Sequence, residues 1–265
     1  MSRFNIPIII HFHSKTKGEF ALTPSRLKWV GKYFNNYASR ILLLSEQHYS
    51  FFVKFLGEEK CTVVENFVKY SDFDNEIQTK NDDFLFVGRL SKEKGFFDLL
   101  KAVKSLKQNN ISCRIQVIGV APTKQLEAEI NQFIYKNELN DYFIFNGATF
   151  GGAKLTLFKR SKCLIFPSHF ENSPVVLKEA IAAKMAILSS NIDANENVLQ
   201  NRKNYLSFQT GNVSDLTEKI IEIVSNQEQV LKMCEASSRI KDYDVSIAQN
   251  KLTHLFNELV IVNEK

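Results

Sequence analysis

Two glutamates, Glu171 and Glu179, stand with seven residues between them in the run FPSHFENSPVVLKEA, residues 166–180. A carboxylate only accepts hydrogen bonds, so a pair facing one crevice suits a ligand that carries hydroxyls. A second group, Gly88, Arg89 and Lys94 in FLFVGRLSKEKGF (residues 84–96), has the opposite character. An arginine fork grips phosphate oxygens two at a time, a lysine adds a point charge, and a glycine lets backbone come close to a ligand. Together they describe a site for a phosphate with hydroxyls beside it. Each stretch alone also has a plainer reading: two glutamates on a solvated helix, and a basic loop that merely solvates itself.

The elements that must position these residues follow from the apolar pattern. Cys163–Phe166 predicts a buried strand, Pro167, Asn172, Ser173 and Pro174 mark a loop, and residues 175–184 predict a helix. Glu171 then sits in the loop and Glu179 about a turn and a half into the helix, at a strand end where α/β sheets bind ligands and where a helix N-terminus favours an anion. Phe84–Val87 predicts a strand, and residues 97–106 the helix after it. Further strands are expected at residues 114–118, 142–145, 186–189 and 205–208. Helices fill the intervals, one of them capped by Thr123 after Pro122, and residues 213–262 read as all helical. This alternation is that of a doubly wound α/β fold. Ahead of it, strands are expected at residues 6–11, 40–45 and 61–64. The polar, patternless residues 69–82 read as a linker. The organisation expected is a partial N-terminal domain (1–68), that linker, a complete Rossmann-like domain (83–245), and a C-terminal helix (246–265) with the N-terminal part as its packing surface.

The combination of Gly-Arg-Leu-x-x-x-Lys-Gly with Glu-x7-Glu after Phe-Pro-Ser resembles glycosyltransferase family 4, retaining enzymes of GT-B fold. The resemblance implies that Gly88, Arg89 and Lys94 bind the donor diphosphate and that Glu179 binds the ribose hydroxyls. It implies that Glu171 contacts the donor sugar, with the Asn172 and Ser173 amides near a phosphate. It also implies that no metal or other cofactor is needed, because the two cations neutralise the leaving group. The family places a strand-end histidine opposite the donor sugar. His13 matches that position better than His11, and a neutral imidazole can hydrogen-bond a sugar hydroxyl; the plainer reading is a strand-end histidine paired to backbone. His169 lies outside the family pattern and reads as loop structure. ASRILLLS (38–45) and VVENFV (63–68) resemble the end of the family's acceptor domain, whose first strands and glycine-rich loop are not among these residues. A truncated acceptor-side domain is therefore expected. The sequence also departs from the pattern at Lys184 and Ala186, where glycine and proline are usual, and at Ala194–Asn195 ahead of Glu196.

Composition sets further limits. At 265 residues with 44% hydrophobic content the chain is long enough for one large or two small cores. Cys61, Cys113, Cys163 and Cys234 lack metal-ligand spacing and read as buried thiols of a reducing compartment. No secretory leader or membrane-spanning run is visible. The net charge of +5 concentrates in residues 1–40, where Arg3, Lys15, Lys17, Arg26, Lys28, Lys32 and Arg40 oppose Glu19 alone. Phe20, Trp29, Tyr33, Phe34 and Tyr37 are interleaved with these cations. One reading is a peripheral contact with an anionic membrane; the other is a helix that buries its aromatic stripe and leaves its lysines in water. No nucleic-acid motif accompanies them. The function expected is transfer of a sugar from a nucleotide sugar to a glycan or lipid-linked acceptor in surface polysaccharide assembly, in the cytoplasm or on the inner face of the membrane. The alternative is a non-catalytic or split donor-binding subunit that needs a companion chain.

Overall fold

The computed structural model describes residues 6–13, 24–74, 80–81, 83–199 and 203–263, with the side chains of residues 24–28 and 261–263 left aside. Arg3, Lys15, Lys17, Glu19, Phe20 and residues 75–79 lie outside the described residues, as do the side chains of Arg26 and Lys28. The chain divides into two compact units: residues 1–67 with Asp242–Lys265, and Val68–Lys241.

The first unit is built from β1 (Ile9–Phe12), α1 (Pro24–Tyr37), β2 (Arg40–Leu43), α2 (Glu46–Leu56) and β3 (Cys61–Val63). The three strands are parallel in the order β1-β2-β3, with Ile10 against Ile41 and Ile41 against Cys61. Ser45 starts α2 by accepting the His48 amide at 3.3 Å, which satisfies one free donor of the first turn. One sheet face packs Phe12, Ile41, Leu43 and Cys61 against Phe52 and Leu56 of α2.

The second unit runs through β4 (Phe84–Val87), α3 (Phe96–Gln108), β5 (Ile115–Ile118), α4 (Lys124–Lys136), β6 (Phe143–Phe145) and α5 (Gly151–Arg160). It continues with β7 (Cys163–Phe166), α6 (Val175–Ala182), β8 (Ala186–Ser190), α7 (Asp193–Leu199), β9 (Tyr205–Phe208), α8 (Val213–Ser225) and α9 (Gln227–Ser238). The final helix, α10 (Val245–Asn263), belongs to the first unit, where Ala248, Leu255 and Leu259 cover Leu42 and Val64. The six strands of the second unit form one parallel sheet in the order β6-β5-β4-β7-β8-β9. β4 and β7 are buried along their whole length, which is why they read as unbroken apolar runs rather than alternating ones. The chain winds outward from β4 in one direction and from β7 in the other. The crevice at the carboxyl ends of these two strands is therefore the topological switch point.

The doubly wound α/β expectation matches this sheet, and several local expectations need correction. The helix after Pro174 stops at Ala182 rather than 184, because Lys184 adopts a left-handed backbone (φ 57°), where a glycine would be unstrained. Residues 213–262 are three helices, interrupted at Asn226 and again after Ser238. Residues 69–82 are not a bare linker: Tyr70 and Phe73 are buried, and Lys80 donates to the carbonyls of Lys159, Ser161 and Ala183 at 3.0–3.3 Å. Lys80 thereby stitches this segment to the ends of α5 and α6, within the second unit that begins at Val68. On α1 the aromatic stripe is not buried. Trp29, Tyr33 and Tyr37 are 68%, 48% and 49% exposed, each four residues from the next, with ring centroids 5.9 and 4.8 Å apart. Phe34 faces inward instead, against Phe12 and Phe52.

His48 is buried edge-on to the Phe12 ring, and its Nδ1 makes no hydrogen bond among the described residues. Burial lowers its pKa from the ordinary 6.5. The unfolded chain therefore takes up this proton before the folded one does. Stability carried by neutral His48 is complete above pH 6.5 and is lost as the pH falls through the lower, folded pKa. We expect thermal unfolding of the wild type to drop between pH 7.5 and pH 5, and His48→Gln to show a smaller drop over the same range. An equal drop in both would remove His48 as the cause.

Candidate functional site

The loop from Gly88 to Gly95 joins β4 to α3, and the loop from Pro167 to Pro174 joins β7 to α6. The parallel sheet sets both at the switch point. Their contact is closer than side chains allow: Gly95 has φ 68°, and a Cβ there would lie 1.9 Å from the carbonyl oxygen of Pro167. The His169 amide donates to the Glu93 carbonyl at 2.9 Å and ties the loops a second time. At Gly119, after β5, an added Cβ would lie 1.9 Å from the Gly88 carbonyl, so the β4 loop is also held from its other side. Gly88 itself is different. A Cβ there would make only ordinary contacts, with the Lys94 stem and Phe86 at 3.7 Å, so nothing among the described residues requires a glycine at that position.

Across the joined loops Lys94 Nζ donates to Glu171 Oε1 at 2.5 Å. Both side chains are mostly buried, at 23% and 12% exposure. Glu171 Oε1 also accepts from Ser168 Oγ at 2.7 Å. Behind it runs a buried polar relay: Asn195 Nδ2 donates to Ser190 Oγ at 3.1 Å, and Ser190 Oγ donates to the Ser168 carbonyl at 2.5 Å. Buried hydroxyls and amides tied in series fix one rotamer each, which is what a carboxylate needs to be held in place. Asn195 occupies one of the positions where the sequence departs from the family pattern. Its neighbour Glu196 accepts from Tyr205 Oη and Ser207 Oγ at 2.7 and 3.0 Å.

Glu179 lies on α6, where Lys154 of α5 donates to both of its oxygens, at 2.6 and 2.8 Å. This pair is also largely shielded from solvent. Lys154 was not legible as a site residue, because it belongs to no motif and is simply one more lysine on a helix. Only the crossover of α5, from β6 at the sheet edge to β7 beside β4, brings it to the glutamate on α6. Arg89 remains exposed and loosely held, with Nη2 3.5 Å from Glu93 Oε2. Ser173 lies 3.5 Å from the Nζ of fully buried Lys178, and Asn172 precedes it in the loop. No side chain caps the start of α6, since Pro174 holds that position. His169 pairs with Asp98 at 2.5 Å and so braces the β7 loop against α3. His13 belongs to the first unit, exposed just beyond β1, with its ring centroid 4.1 Å from that of His11. His11 has its pKa lowered by burial and then by His13. Among the described residues no group of three or more His, Cys, Asp or Glu side chains could hold a metal ion.

Residues 68–240 match the family model described as glycosyl transferases group 1. Among curated relatives, an uncharacterized glycosyltransferase of Methanocaldococcus jannaschii is 24% identical over 236 residues, which is 86% of this chain and 61% of that protein. The capsular polysaccharide biosynthesis glycosyltransferase CapM of Staphylococcus aureus is 22% identical, over 72% of this chain and 53% of its own length. The chain thus spans a little over half the length of these relatives. Among solved structures, Anabaena HepE in complex with UDP and glucose superposes with a TM-score of 0.80 at 15% identity, covering 95% of this chain and 71% of that one. A crystal structure of TarM gives a TM-score of 0.78 at 17% identity, covering 97% of this chain and 51% of that one. At such identities the likeness speaks for the fold alone.

The Lys154–Glu179 pair carries a direct test. Lys154→Met removes the cation and leaves a mostly buried carboxylate without its partner. It should destabilise the protein by about 1–3 kcal/mol, the cost of an unsatisfied buried polar group. Adding Glu179→Gln should recover part of that loss, so that a double-mutant cycle by thermal or denaturant unfolding gives a coupling of about 0.5–3 kcal/mol. Strict additivity would mean that the two residues touch without holding each other.

Proposed function

The chain belongs to the group 1 glycosyl transferases, with a GT-B type α/β fold, and from that premise we propose that its Val68–Lys241 unit binds a nucleotide-sugar donor for transfer of the sugar to a glycan or lipid-linked acceptor. The observation that carries this reading is the convergence at the switch point of a cation and a carboxylate, Lys94 on Glu171, from two loops pinned together at Gly95. HepE was solved with UDP and glucose, which makes a uridine diphosphate sugar the first donor to try. CapM acts in capsular polysaccharide biosynthesis, which supports a surface polysaccharide as the product.

On this reading the exposed Arg89 and the Lys94 ammonium take the diphosphate, and Gly88, which the chain's own packing leaves free, gives it room to come close. Negative charge builds on that leaving group as the glycosidic bond to the nucleotide breaks. Lys94, mostly shielded from water, and Arg89 at the surface place positive charge where that negative charge develops. The mechanism therefore calls for no metal. Glu179 accepts the ribose hydroxyls, and the loop amides of Asn172 and Ser173 lie along the phosphates. Glu171 faces the donor sugar, and the family resemblance supports retention at the anomeric carbon. The ladder of Trp29, Tyr33 and Tyr37 beside exposed Lys32 on α1 supports a peripheral membrane contact, since amphipathic rings and cations together suit an anionic interface.

Two measurements test these assignments. By calorimetry, Arg89→Ala and Lys94→Ala should each weaken UDP binding about tenfold or more, since a hydrogen bond to a charged group contributes about 1.5–3 kcal/mol. Arg89→Ala should leave thermal stability unchanged, whereas Lys94→Ala should lower it by stranding Glu171. Glu179→Gln should narrow the preference for UDP over its dideoxyribose analogue. Unchanged UDP affinity in both cation variants would sink the diphosphate assignment. In the second measurement, vesicles containing phosphatidylglycerol should retain the wild type better than phosphatidylcholine vesicles do, and Trp29→Ser/Tyr33→Ser should lose that retention. Equal retention of wild type and variant would remove α1 from the membrane contact.

A further inference from the structure

A groove of about 700 Å³ lies between α3 and α4 on the outer face of the second unit. Lys101 and Lys104 of α3, Lys136 of α4 and Lys92 of the preceding loop line it, together with the rings of Phe97 and Phe133. Two acids share this lining, Asp98 and Glu129, and Asp98 is already taken up by His169 at 2.5 Å. Among the described residues Lys101, Lys104 and Lys136 form no ion pair. Elsewhere in the unit Lys107, Lys154, Lys219 and Lys232 each sit against a carboxylate. Lys101 and Lys104 are three apart on one helix face, a spacing at which like charges repel. The groove therefore sets four lysines against two carboxylates, Asp98 and Glu129, and its lining carries a surplus of positive charge.

Its position gives it an axis. His169 and Lys92 stand at the carboxyl end of the sheet, and His169 is two residues before Glu171. Lys136 stands at the far end of α4, where the chain turns back towards the start of β6. From residue 97 to 104 and from 129 to 136 each helix contributes about 10 Å of wall, at 1.5 Å per residue. That length accommodates more than one charge of an extended ligand. Lysines meet phosphate as point charges and impose no bidentate geometry, which suits a repeating phosphodiester whose spacing is set by the polymer. The Phe97 and Phe133 rings supply apolar surface for the carbon skeleton between phosphates.

We propose that this groove is a binding track for a phosphodiester-linked polyol or glycan, which it leads toward the loop that carries Glu171. The inference rests on the reading of the chain as a glycosyltransferase, whose second substrate must reach that loop. The probe is a short glycerol-phosphate oligomer, with a neutral dextran and a single-stranded oligonucleotide as comparisons. Binding is measured at low and at physiological salt, alongside UDP titration. The groove variant is Lys101→Glu/Lys104→Glu/Lys136→Glu, with a Gln version of the same three. The control is Lys203→Glu/Lys219→Glu/Lys232→Glu, which changes net charge equally.

The expected result is that the Glu variant loses at least tenfold in oligomer affinity, the Gln variant loses less, the control keeps wild-type affinity, and all of them bind UDP as the wild type does. Dextran should not bind, and the oligonucleotide should bind less tightly than the oligomer. Undiminished oligomer binding by the groove variants would overturn the proposal. So would an equal loss in the control, or an oligonucleotide that binds as well as the oligomer. Absence of UDP binding by the wild type would instead defeat the underlying reading, so the two failures are separable.

Discussion

The geometry at the switch point depends on one steric constraint. Gly95 has no Cβ, and its left-handed backbone lies directly against the carbonyl of Pro167. Only a glycine permits this approach, because any other residue would drive the β7 loop away by more than an ångström and carry the cost of a positive φ. Lys94 is the neighbour of Gly95, and Glu171 follows Pro167 by four residues. The 2.5 Å contact between their side chains thus spans two loops that the backbone already holds together. The same closeness lets His169 donate to Glu93 and pair with Asp98, so the junction is held at three points.

The two glutamates are arranged alike but supported differently. Glu171 is backed by a chain of small polar residues, Ser168, Ser190 and Asn195, that runs across the ends of β7 and β8. Glu179 has one long partner, Lys154, that holds both of its oxygens. On the proposed reading, a diphosphate that draws Lys94 away leaves Glu171 with a vacant acceptor at the moment a sugar hydroxyl arrives. Recognition of the phosphate and recognition of the sugar are then coupled through one ammonium group, and neither requires a buried charge to stand alone.

Much of this was legible in the chain because the determinants are local. Short runs such as Phe84–Val87 and Cys163–Phe166 are apolar at every position, as strands covered on both faces must be, and glycine, proline and charge mark the loops that follow. Thr123 was legible as a helix cap and accepts the Leu126 amide. The failures were of long range. Lys154 meets Glu179 only once β7 has placed α5 and α6 side by side, and Asn195 looked like a weakened turn where it is a buried donor. Residues 69–82 looked like a tether because their polar composition conceals Tyr70, Phe73 and Lys80, each of which is fixed by groups far along the chain. On α1, periodicity alone allowed either face to be the buried one. The neighbours Phe12 and Phe52 choose Phe34, and so leave Trp29, Tyr33 and Tyr37 outside.

That choice has a spectroscopic consequence. The protein has a single tryptophan, and it stands at an exposed position on α1, stacked at 18° on Tyr33. The Val68–Lys241 unit contains tyrosines and phenylalanines but no indole. Emission excited at the red edge of the protein spectrum therefore originates on one helix of the first unit. It reports the polarity and quenching that this helix meets, whereas tyrosine absorption is shared, with Tyr33, Tyr37, Tyr49 and Tyr243 in the first unit and Tyr70, Tyr135, Tyr142 and Tyr205 in the other. The first unit can thus be watched by itself in the unaltered chain, with no label attached.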